Sequence, residues 1–330
     1  MSANAVIRGM GMYVPERILS NSELEILVDT SDEWIMTRTG IRERRMAAPG
    51  QACSDIALEA SLRALADAGM AADELTHIIV GTISPDFYCP GAACLLSHKL
   101  GIKGRTALDV NAACSGFLYS LQVARGFVAL EPTAKILVAP TDLLSTRTNW
   151  QDRTTCVLFG DGGGAVVVTA DNGAPPVARI VDLILSSDGG VGDMLTIKGG
   201  GSGRPLVLGE ATQEDFFIQM NGREVYKHAI RSMEAVTHEI LEKNGLTMKD
   251  VDVFIPHQAN LRIIEAVGKK LDVPAEKIFV NVDRYGNTSA ASLAIALSEA
   301  WETGFIKPCQ LALLTTFGAG FTWGAALIQF

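Results

Sequence analysis

The sequence has few of the side chains that hold metals, and they are not spaced as metal ligands. Its five histidines and six cysteines are scattered over 330 residues, and no CxxC pair occurs. Zinc centres use closely spaced Cys or His pairs, and disulfide frameworks use regularly spaced cysteines. The pattern therefore predicts no metal site, and it predicts the reduced thiols of a cytoplasmic protein.

A basic excess and a long apolar run are also missing. The net charge is −9, which argues against nucleic acid as a partner. No N-terminal stretch has the basic flank and apolar core of a signal peptide. We also expect no stretch of about 18 apolar residues that could span a bilayer. The sequence thus predicts a cytoplasmic protein with no membrane association, whose 48% hydrophobic content can form a large core.

Several nucleotide-binding and catalytic signatures are absent as well. Gly9-Met-Gly11 lacks the third glycine of a dinucleotide-binding loop, and no GxxxxGK[ST] phosphate loop occurs. Neither a GxSxG nucleophile elbow nor an HExxH zinc motif is found. These absences argue against dinucleotide-dependent dehydrogenases, P-loop NTPases, α/β-hydrolases and HExxH metalloproteases.

Strand-like and helix-like stretches alternate along the chain, which is typical of an α/β protein. Residues 106–110 predict a buried strand, and the chain then passes through two alanines to Cys114 and turns helical. A thiol at a helix N-terminus lies near unpaired backbone N–H groups, which favour the nucleophilic thiolate. Cys114 is therefore a candidate nucleophile, and an ordinary buried cysteine is the alternative.

The order of elements in the first half recurs in the second. The stretch LADAGMAADELTHIIVGT from Leu65 matches LEKNGLTMKDVDVFIPHQ from Leu241, at a shift of about 176 residues. By the same pattern, the strand before Cys114 corresponds to a predicted strand over 278–282. The repeat predicts two halves, 1–173 and 174–330. Each would hold a five-stranded mixed sheet, with two central helices packed between the sheets.

The repeat also brings three polar or reactive side chains together. Cys114 and Asn287 fall at nearly the same place in their halves, and His257 follows a strand of the second half. Because ligands of α/β sheets gather at the carboxyl ends of strands, a pseudo-twofold axis would place all three at one site. Taken singly, His257 could be a surface histidine and Asn287 a helix N-cap.

Five segments carry a resemblance to one family: DEWIMTRTGIRERR, DVNAACSGF, PHQANLRI, RYGNTSAAS and FGAGFTWGAAL. Together they resemble β-ketoacyl-acyl-carrier-protein synthase III, of the thiolase superfamily, over essentially the whole chain. The resemblance implies a duplicated, five-layered α-β-α-β-α fold and a homodimer. It also implies a decarboxylative Claisen condensation of an acyl-CoA primer, such as acetyl-CoA, with malonyl-acyl carrier protein, which initiates type II fatty acid synthesis.

The same resemblance assigns catalytic roles. Cys114 would carry the acyl group, and His257 and Asn287 would complete the catalytic triad as donors to the thioester oxygen. The backbone N–H groups of Cys114 and Ala319 would stabilise the oxyanion. No metal or redox cofactor is implied, because acyl-CoA is a substrate.

Binding residues follow from the resemblance too. Those implied for CoA are Trp34, Arg38, Arg153 and Asn260. Those implied for the carrier protein, helped by the clustering of basic residues, are Lys227, Gln258, Ala259, Asn260, Leu261, Arg262, Lys269 and Lys270. An aromatic on a solvated helix and a solvated charged face are the alternatives.

The acyl pocket would be bounded by Phe317 and Cys89. Many relatives have phenylalanine where Cys89 stands, so we predict tolerance of primers longer than acetyl, with simple loop filler as the alternative. Two other functions remain open. One is a related condensing or acyl-transfer enzyme of specialised metabolism, and the other is a non-catalytic paralogue that binds carrier protein.

Overall fold

The computed structural model describes residues 4–207, 209 and 212–330. Its helices are α1 (Asn21–Leu27), α2 (Asp32–Thr39), α3 (Cys53–Asp67), α4 (Ala92–Lys99), α5 (Gly116–Leu130), α6 (Gly222–Lys243), α7 (Leu261–Lys270), α8 (Val282–Tyr285) and α9 (Ala291–Glu302). Its strands are β1 (Ala5–Tyr13), β2 (Arg17–Ser20), β3 (Glu43–Met46), β4 (His77–Gly81), β5 (Thr106–Val110), β6 (Lys135–Val138), β7 (Thr141–Leu143), β8 (Asp161–Ala170), β9 (Ala178–Ser187), β10 (Leu195–Thr196), β11 (Gln219–Met220), β12 (Val253–Pro256), β13 (Leu311–Gly318) and β14 (Thr322–Gln329).

The main sheet runs continuously through both halves of the chain. Its strand order is β12-β13-β14-β9-β1-β8-β6-β4-β5, with β7 paired to β8. The halves join where β1 pairs antiparallel with β9, through Val6↔Arg179 and Ile7↔Ala178. The expectation of two separate sheets is therefore corrected, because backbone hydrogen bonds link their inner edges.

Each half nevertheless follows one strand order. Outward from the joint, the first half reads β1-β8-β6-β4-β5, and the second reads β9-β14-β13-β12. In the position equivalent to β5, only Ile278 pairs with β12, in an isolated bridge to Phe254. The strand predicted over 278–282 is wrong, because the Gln258 side chain accepts the backbone N–H groups of Asn281 and Val282, and helix α8 begins at Val282. The predicted boundary between 173 and 174 falls in the connection between β8 and β9.

Three apolar cores separate the layers. The central core lies between the two halves of the sheet and contains α5 and α9, through residues such as Phe117, Leu121, Leu293 and Leu297. A second core lies beneath α3 and α4, and a third lies beneath α6 and α7. The arrangement is helices, sheet, helices, sheet, helices, which places the start of α5 and the turn before α9 at the middle of the molecule.

The central helix is unusually apolar. The stretch Ala113–Leu130 is long and apolar enough to cross a membrane by length and composition, with a mean hydropathy of 1.2. The expectation that no stretch would qualify was therefore wrong. Half of this stretch is buried inside the fold, and its side chains form part of the central core. A helix covered by sheets on both sides has no need of a polar face, so we assign it as a core helix.

Candidate functional site

A cavity of about 700 Å³ brings together the three residues that the repeat predicted to meet. Cys114, His257 and Asn287 all line it, and all are at least nine-tenths buried. Its walls are mostly apolar and come largely from the segment before β8 and from one face of α6: Val157, Leu158, Phe159, Val225, Ala229 and Met233. The size and lining suit a ligand with an apolar arm.

Cys114 lies in a tight turn between β5 and α5. The turn Ala113–Ser115 is 3₁₀-helical, and Ala113 has a left-handed φ of 46°. The glycine-rich turn after β13 lies directly against it, because a Cβ added at Gly318 would be 2.7 Å from the backbone nitrogen of Cys114. Only glycine permits this approach, which brings the predicted oxyanion residue Ala319 next to the turn.

The Cys114 thiol is neutral at rest. Burial raises its pKa to about 12, against smaller lowering effects from the Ser289 hydroxyl and from its own backbone N–H. The helix N-terminus was expected to favour the thiolate, but the loss of water around the sulfur dominates. Attack by this sulfur therefore requires a group that accepts its proton.

His257 is held as a neutral hydrogen-bond donor. Burial lowers its pKa to about 3. Its Nδ1 lies 3.0 Å from the Ser292 hydroxyl, which already accepts the backbone N–H of Gln258 at 2.9 Å. We infer that the Ser292 hydroxyl donates a hydrogen bond to Nδ1, so that the neutral ring carries its one N–H proton on Nε2. Nε2 is buried and has no partner among the described residues, as expected of a group that awaits a substrate.

Asn287 makes a local turn bond and does not cap α9, whose N-cap is Ala290. Its Oδ1 accepts the backbone N–H of Ser289 at 2.9 Å, which is the local turn bond expected of an asparagine before a helix. Its Nδ2 group is thereby left as the donor for a ligand. A residue of the first half of the chain holds Asn287 in place, because the backbone N–H of Asn287 donates to the carbonyl of Leu158 at 2.8 Å.

Two arginines and one tryptophan cluster at the cavity mouth. The Arg38 guanidinium lies 4.4 Å from the Trp34 ring centre, and that of Arg153 lies 5.3 Å from it. Both arginines are exposed, and Arg153 also donates to the carbonyl of Asp29. Helix α2 presents Trp34 and Arg38 on adjacent turns. The trio predicted for CoA is therefore assembled, although Arg153 does not itself line the cavity.

The segment after His257 contains one misassigned residue. Gln258 is 1% exposed, and its amide is used internally, with donations to the carbonyls of Pro256 and Phe279. Its side chain therefore cannot contact a carrier protein, and that prediction is corrected. Asn260 lines the cavity, caps α7 and donates to the Arg38 carbonyl at 3.1 Å. Ala259 and Leu261 are half-buried.

The basic side chains divide into two groups. Lys227 and Arg262 are exposed on the cavity rim, together with Arg223, which the sequence reading missed although it lies four residues before Lys227 on one helix face. Lys269 and Lys270 are exposed at the far end of α7 and do not line the cavity. The rim thus carries positive charge where an anionic partner would approach.

The two predicted acyl-pocket residues lie apart. Phe317 is buried and lines the cavity. Cys89 is exposed in the loop before α4, does not line the cavity of this chain, and follows the exposed Phe87 and Tyr88. A single chain therefore gives Cys89 no part in the pocket, and its predicted role requires a second subunit.

Sequence reading missed further residues around the triad. Asp142, Ser289 and Ser292 are fully buried next to it, and Tyr226 lines the cavity beneath Arg262, at 5.8 Å. These residues are polar and stand among apolar or small neighbours in the sequence, which could have marked them as candidates for the site. The pattern does not distinguish them from ordinary turn and cap residues, which have the same side chains.

The duplicated fold, and a cavity at its centre lined by a cysteine, a neutral histidine and an asparagine, define an acyltransferase of the thiolase type. Residues 108–189 match the family described as 3-Oxoacyl-[acyl-carrier-protein (ACP)] synthase III, and residues 241–330 match its C-terminal part. The chain belongs to this family. The expectations of family, fold class and enzyme class are thereby confirmed.

Known relatives cover the full length of the chain. It is 55% identical over 329 residues to Beta-ketoacyl-[acyl-carrier-protein] synthase III of Oleidesulfovibrio alaskensis, covering 100% of both. The crystal structure of the Aquifex aeolicus synthase III matches with a TM-score of 0.89 and 44% identity, over 99% of this chain and 100% of that one. The priming β-ketosynthase of the R1128 polyketide pathway matches with a TM-score of 0.90 and 32% identity, over 100% and 97%.

Proposed function

We propose that this enzyme condenses an acyl-CoA primer, such as acetyl-CoA, with malonyl-acyl carrier protein to give 3-oxoacyl-acyl carrier protein. Carbon dioxide and CoA are released, and the product initiates fatty acid synthesis. The observation that carries the proposal is the meeting of Cys114, His257 and Asn287 in one buried cavity whose mouth is basic and aromatic. The reaction needs no redox cofactor, because no oxidant or reductant is consumed, and the release of carbon dioxide supplies both the enolate and the driving force.

In the first step, Cys114 attacks the thioester carbonyl of acyl-CoA. The C–S bond to CoA breaks, the acyl group is transferred to the Cys114 sulfur, and the departing CoA sulfur takes up the proton that the thiol loses. The developing oxyanion accepts hydrogen bonds from the backbone N–H groups of Cys114 and Ala319. The close approach of the Gly318 turn to Cys114 supports this pairing of donors.

In the second step, the malonyl group replaces CoA in the cavity and loses carbon dioxide. His257 Nε2 and Asn287 Nδ2 donate to the thioester oxygen, which carries the enolate charge. The enolate carbon attacks the acyl carbonyl, and Cys114 leaves. Two neutral donors suit this step, because neither has to change its protonation state.

The cavity mouth supplies the binding groups. Trp34, Arg38 and Arg153 would hold the adenine and phosphates of CoA, since aromatic faces and guanidiniums complement purine and phosphate. Lys227 and Arg262 would attract an acidic carrier protein. We further propose that the enzyme works in the cytoplasm as a homodimer, whose exposed loop at Phe87–Cys89 meets the other subunit.

The chain-length hypothesis concerns Cys89. If this residue closes the acyl pocket of a partner subunit, Cys89→Phe should lower kcat/KM for acyl-CoA primers longer than acetyl and spare acetyl-CoA. Competition between acyl-CoAs of increasing length measures this preference. An unchanged ranking of the primers would refute a pocket role for Cys89.

The whole proposal is tested with isotopically labelled acetyl-CoA. The enzyme should form a labelled protein adduct, and added malonyl-acyl carrier protein should then convert the label into 3-oxoacyl-acyl carrier protein. If no adduct forms, the chain is a binding module and not a transferase. If the adduct forms but the label reaches a carrier without a new carbon–carbon bond, the activity is simple acyl transfer.

A second candidate is a priming enzyme of specialised metabolism. The likeness to the priming β-ketosynthase of the R1128 polyketide pathway favours it, because that protein shares this fold over nearly its full length. The two functions differ in the carrier protein that accepts the primer. Comparison of kcat/KM for the fatty-acid carrier protein and for a polyketide carrier protein separates them.

A further inference from the structure

Helix α9 carries a carboxylate in the protein interior. Glu299 is only 8% exposed, and its neighbours Ser298 and Ala300 are buried as well. Removing a charge from water is costly, so a buried carboxylate needs close partners. Burial by itself raises the pKa of Glu299, but hydrogen bonds, above all those from Arg284, lower it below its usual range, so the group is ionised. No step of the proposed reaction uses this charge.

Three side chains of one short element donate hydrogen bonds to Glu299. Its Oε2 accepts the side-chain amide of Asn281 at 2.8 Å and Nη2 of Arg284 at 2.9 Å. Its Oε1 accepts the Tyr285 hydroxyl at 2.9 Å and Nη1 of Arg284. Asn281 is the N-cap residue of α8, and Arg284 and Tyr285 lie on that helix. Both carboxylate oxygens thus hold α8 against α9.

Helix α8 joins the two segments that carry the donors of the second step. At its start, Gln258, the residue after His257, accepts the backbone N–H of Asn281 through Oε1 at 2.9 Å. At its end, a single residue separates α8 from Asn287. A helix of four residues is too short to be stable by itself. The position of α8, and with it the placement of His257 relative to Asn287, therefore depends on the groups that bind this helix.

Backbone hydrogen bonds also hold this region. The Asp283 carbonyl accepts the N–H of Arg42 at 2.9 Å, and backbone bonds join Asn287 to Leu158 and Gly160. These bonds should keep the region folded when Glu299 is changed. Each is a local contact about which a short helix can still turn, whereas the carboxylate binds three side chains spread along α8.

A purely stabilising role does not explain this network. Replacing buried ionic groups with packed apolar side chains often leaves stability unchanged or raises it. A buried network whose members are all paired does fix one arrangement of the elements that it joins, because other arrangements leave polar groups unpaired. Two donors that must converge on one oxygen need such a fixed arrangement, since a displacement of about 1 Å can lower a rate about 100-fold.

We propose that Glu299 is a positioning residue for the condensation step: it fixes α8 so that His257 and Asn287 donate to the same thioester oxygen. Acylation uses other groups, namely the Cys114 sulfur and the backbone N–H groups of Cys114 and Ala319. Glu299 therefore acts on the second chemical step and leaves the first unchanged. The inference rests on the proposed roles of His257 and Asn287.

The test measures the two steps separately. Glu299→Gln keeps the shape of the side chain, but it removes the charge and turns an NH₂ group toward two of the donors. By rapid-quench mass spectrometry, the variant should acylate Cys114 from acetyl-CoA at the rate of the unmodified protein. The acylated variant should then condense with saturating malonyl-acyl carrier protein about tenfold more slowly, with little change in KM.

Glu302→Gln is the matched control, because it makes the same chemical change at an exposed residue of the same helix. It should leave both rates unchanged. Tyr285→Phe is a milder variant, because it removes one donor and keeps the pair of Glu299 with Arg284. It should slow condensation roughly threefold and leave acylation unchanged.

Thermal unfolding establishes that each variant is folded, and Tyr285→Phe decides the question if Glu299→Gln is not. Equal slowing of both steps in a folded variant would show a general structural role, and normal condensation would show no role. Either result overturns the proposal. If the unmodified protein forms no Cys114 adduct, the proposed function itself fails, and the positioning role fails with it.

Discussion

At the scale of single residues, burial determines the chemistry of the site more than local sequence does. The same loss of water that makes Cys114 a neutral thiol also keeps His257 neutral. Burial therefore leaves Cys114 as a thiol that must lose a proton before it can attack, and it leaves His257 as a neutral ring that can donate a hydrogen bond without changing its protonation state. Ser289, which lowers the pKa of Cys114, and Ser292, whose hydroxyl lies 3.0 Å from His257 Nδ1, both follow Asn287 closely in the sequence.

His257 should make the protein sensitive to acid. The unfolded chain takes up a proton on this imidazole near pH 6.5, whereas the folded protein resists protonation until about pH 3. Between these values the unfolded state binds more protons, so the free energy of unfolding falls as the pH drops. His257→Gln removes this penalty, so from pH 8 to pH 5 the free energy of unfolding of the variant should rise by about 2 kcal/mol relative to that of the unmodified protein.

Chemical denaturation of the unmodified and variant proteins at pH 5 and pH 8 measures this difference. His238→Gln, which changes an exposed histidine on α6, is the matched control. A constant stability difference between His257→Gln and the unmodified protein across the pH range would contradict the buried neutral imidazole.

The meeting of Cys114, His257 and Asn287 in one cavity was predictable from the sequence. Cys114, His257 and Asn287 occupy equivalent or neighbouring places in the repeat, and that alone indicated a shared site. Gln258 was misassigned because a glutamine beside a catalytic histidine can face outward or inward. Only the fold shows that its amide connects the end of β12 to Asn281 and Val282.

At the scale of elements, the site depends on turns that glycine and caps define. Ser31 caps the start of α2, where its hydroxyl accepts the N–H of Trp34, and Gly40, with a φ of 72°, caps the end of this helix. Asn260 caps the start of α7 and also donates to the Arg38 carbonyl. These bonds fix the tryptophan and arginine of the cavity mouth against the segment that follows His257.

Gly318→Ala should move the backbone N–H of Ala319 away from that of Cys114, so that the two no longer donate to the same oxyanion. The new Cβ would lie 2.7 Å from the Cys114 nitrogen, so the turn with Ala319 must move away. Loss of one aligned donor lowers such rates by about 100-fold or more, so acylation by acetyl-CoA should fall by that factor while the cavity mouth still binds CoA. Rapid-quench assays of Cys114 acylation measure the rate, and titration with CoA measures the affinity of the cavity mouth.

Gly126→Ala is the control for this change. Gly126 lies within α5, and a Cβ there meets nothing within 4 Å. The substitution should keep full activity and stabilise the helix by roughly 0.5–1 kcal/mol. Normal acylation by Gly318→Ala would show that the turn does not provide an oxyanion donor.

Most elements were predictable from periodicity, and the exceptions have physical causes. Strand β5 follows an apolar run and spans the residues 106–110 that were predicted for it. The strand predicted over 278–282 has the right composition, but side-chain hydrogen bonds satisfy its backbone in place of a neighbouring strand. Helix α5 is as apolar as a membrane-spanning helix because two sheets cover it. Composition alone cannot distinguish a helix inside a lipid bilayer from a helix inside a protein core.

At the scale of the whole molecule, the two halves form one structure. The β1–β9 pairing joins the sheets, and the central core takes residues from both α5 and α9. The active cavity is likewise shared, with Cys114 from the first half and His257 and Asn287 from the second. The two halves therefore contribute different side chains to one site, with Cys114 and Asn287 at equivalent places before α5 and α9.

The charge distribution leads to a prediction about the carrier protein. The chain has a net charge of −9, yet Arg223, Lys227 and Arg262 lie together on the cavity rim. Arg262→Glu should lower kcat/KM for malonyl-acyl carrier protein about tenfold at low salt, with a smaller effect at high salt. Binding of acyl-CoA should change far less.

Lys103→Glu makes a comparable charge change at an exposed residue that does not line the cavity, so it is the matched control. It should leave kcat/KM for the carrier protein nearly unchanged. Equal losses for CoA and carrier protein in Arg262→Glu would count against a docking role for the rim.

The central claim is that one sulfur carries the acyl group while two neutral donors serve the carbon–carbon bond. Peptide mass spectrometry after mixing with acetyl-CoA tests it most directly, followed by a chase with malonyl-acyl carrier protein. We predict one acetyl group on the peptide containing Cys114, none in Cys114→Ala, and in His257→Ala and Asn287→Ala an acetyl group that forms but persists through the chase. Acetylation of another cysteine, or normal conversion of the acetyl group by either donor variant, would contradict the account.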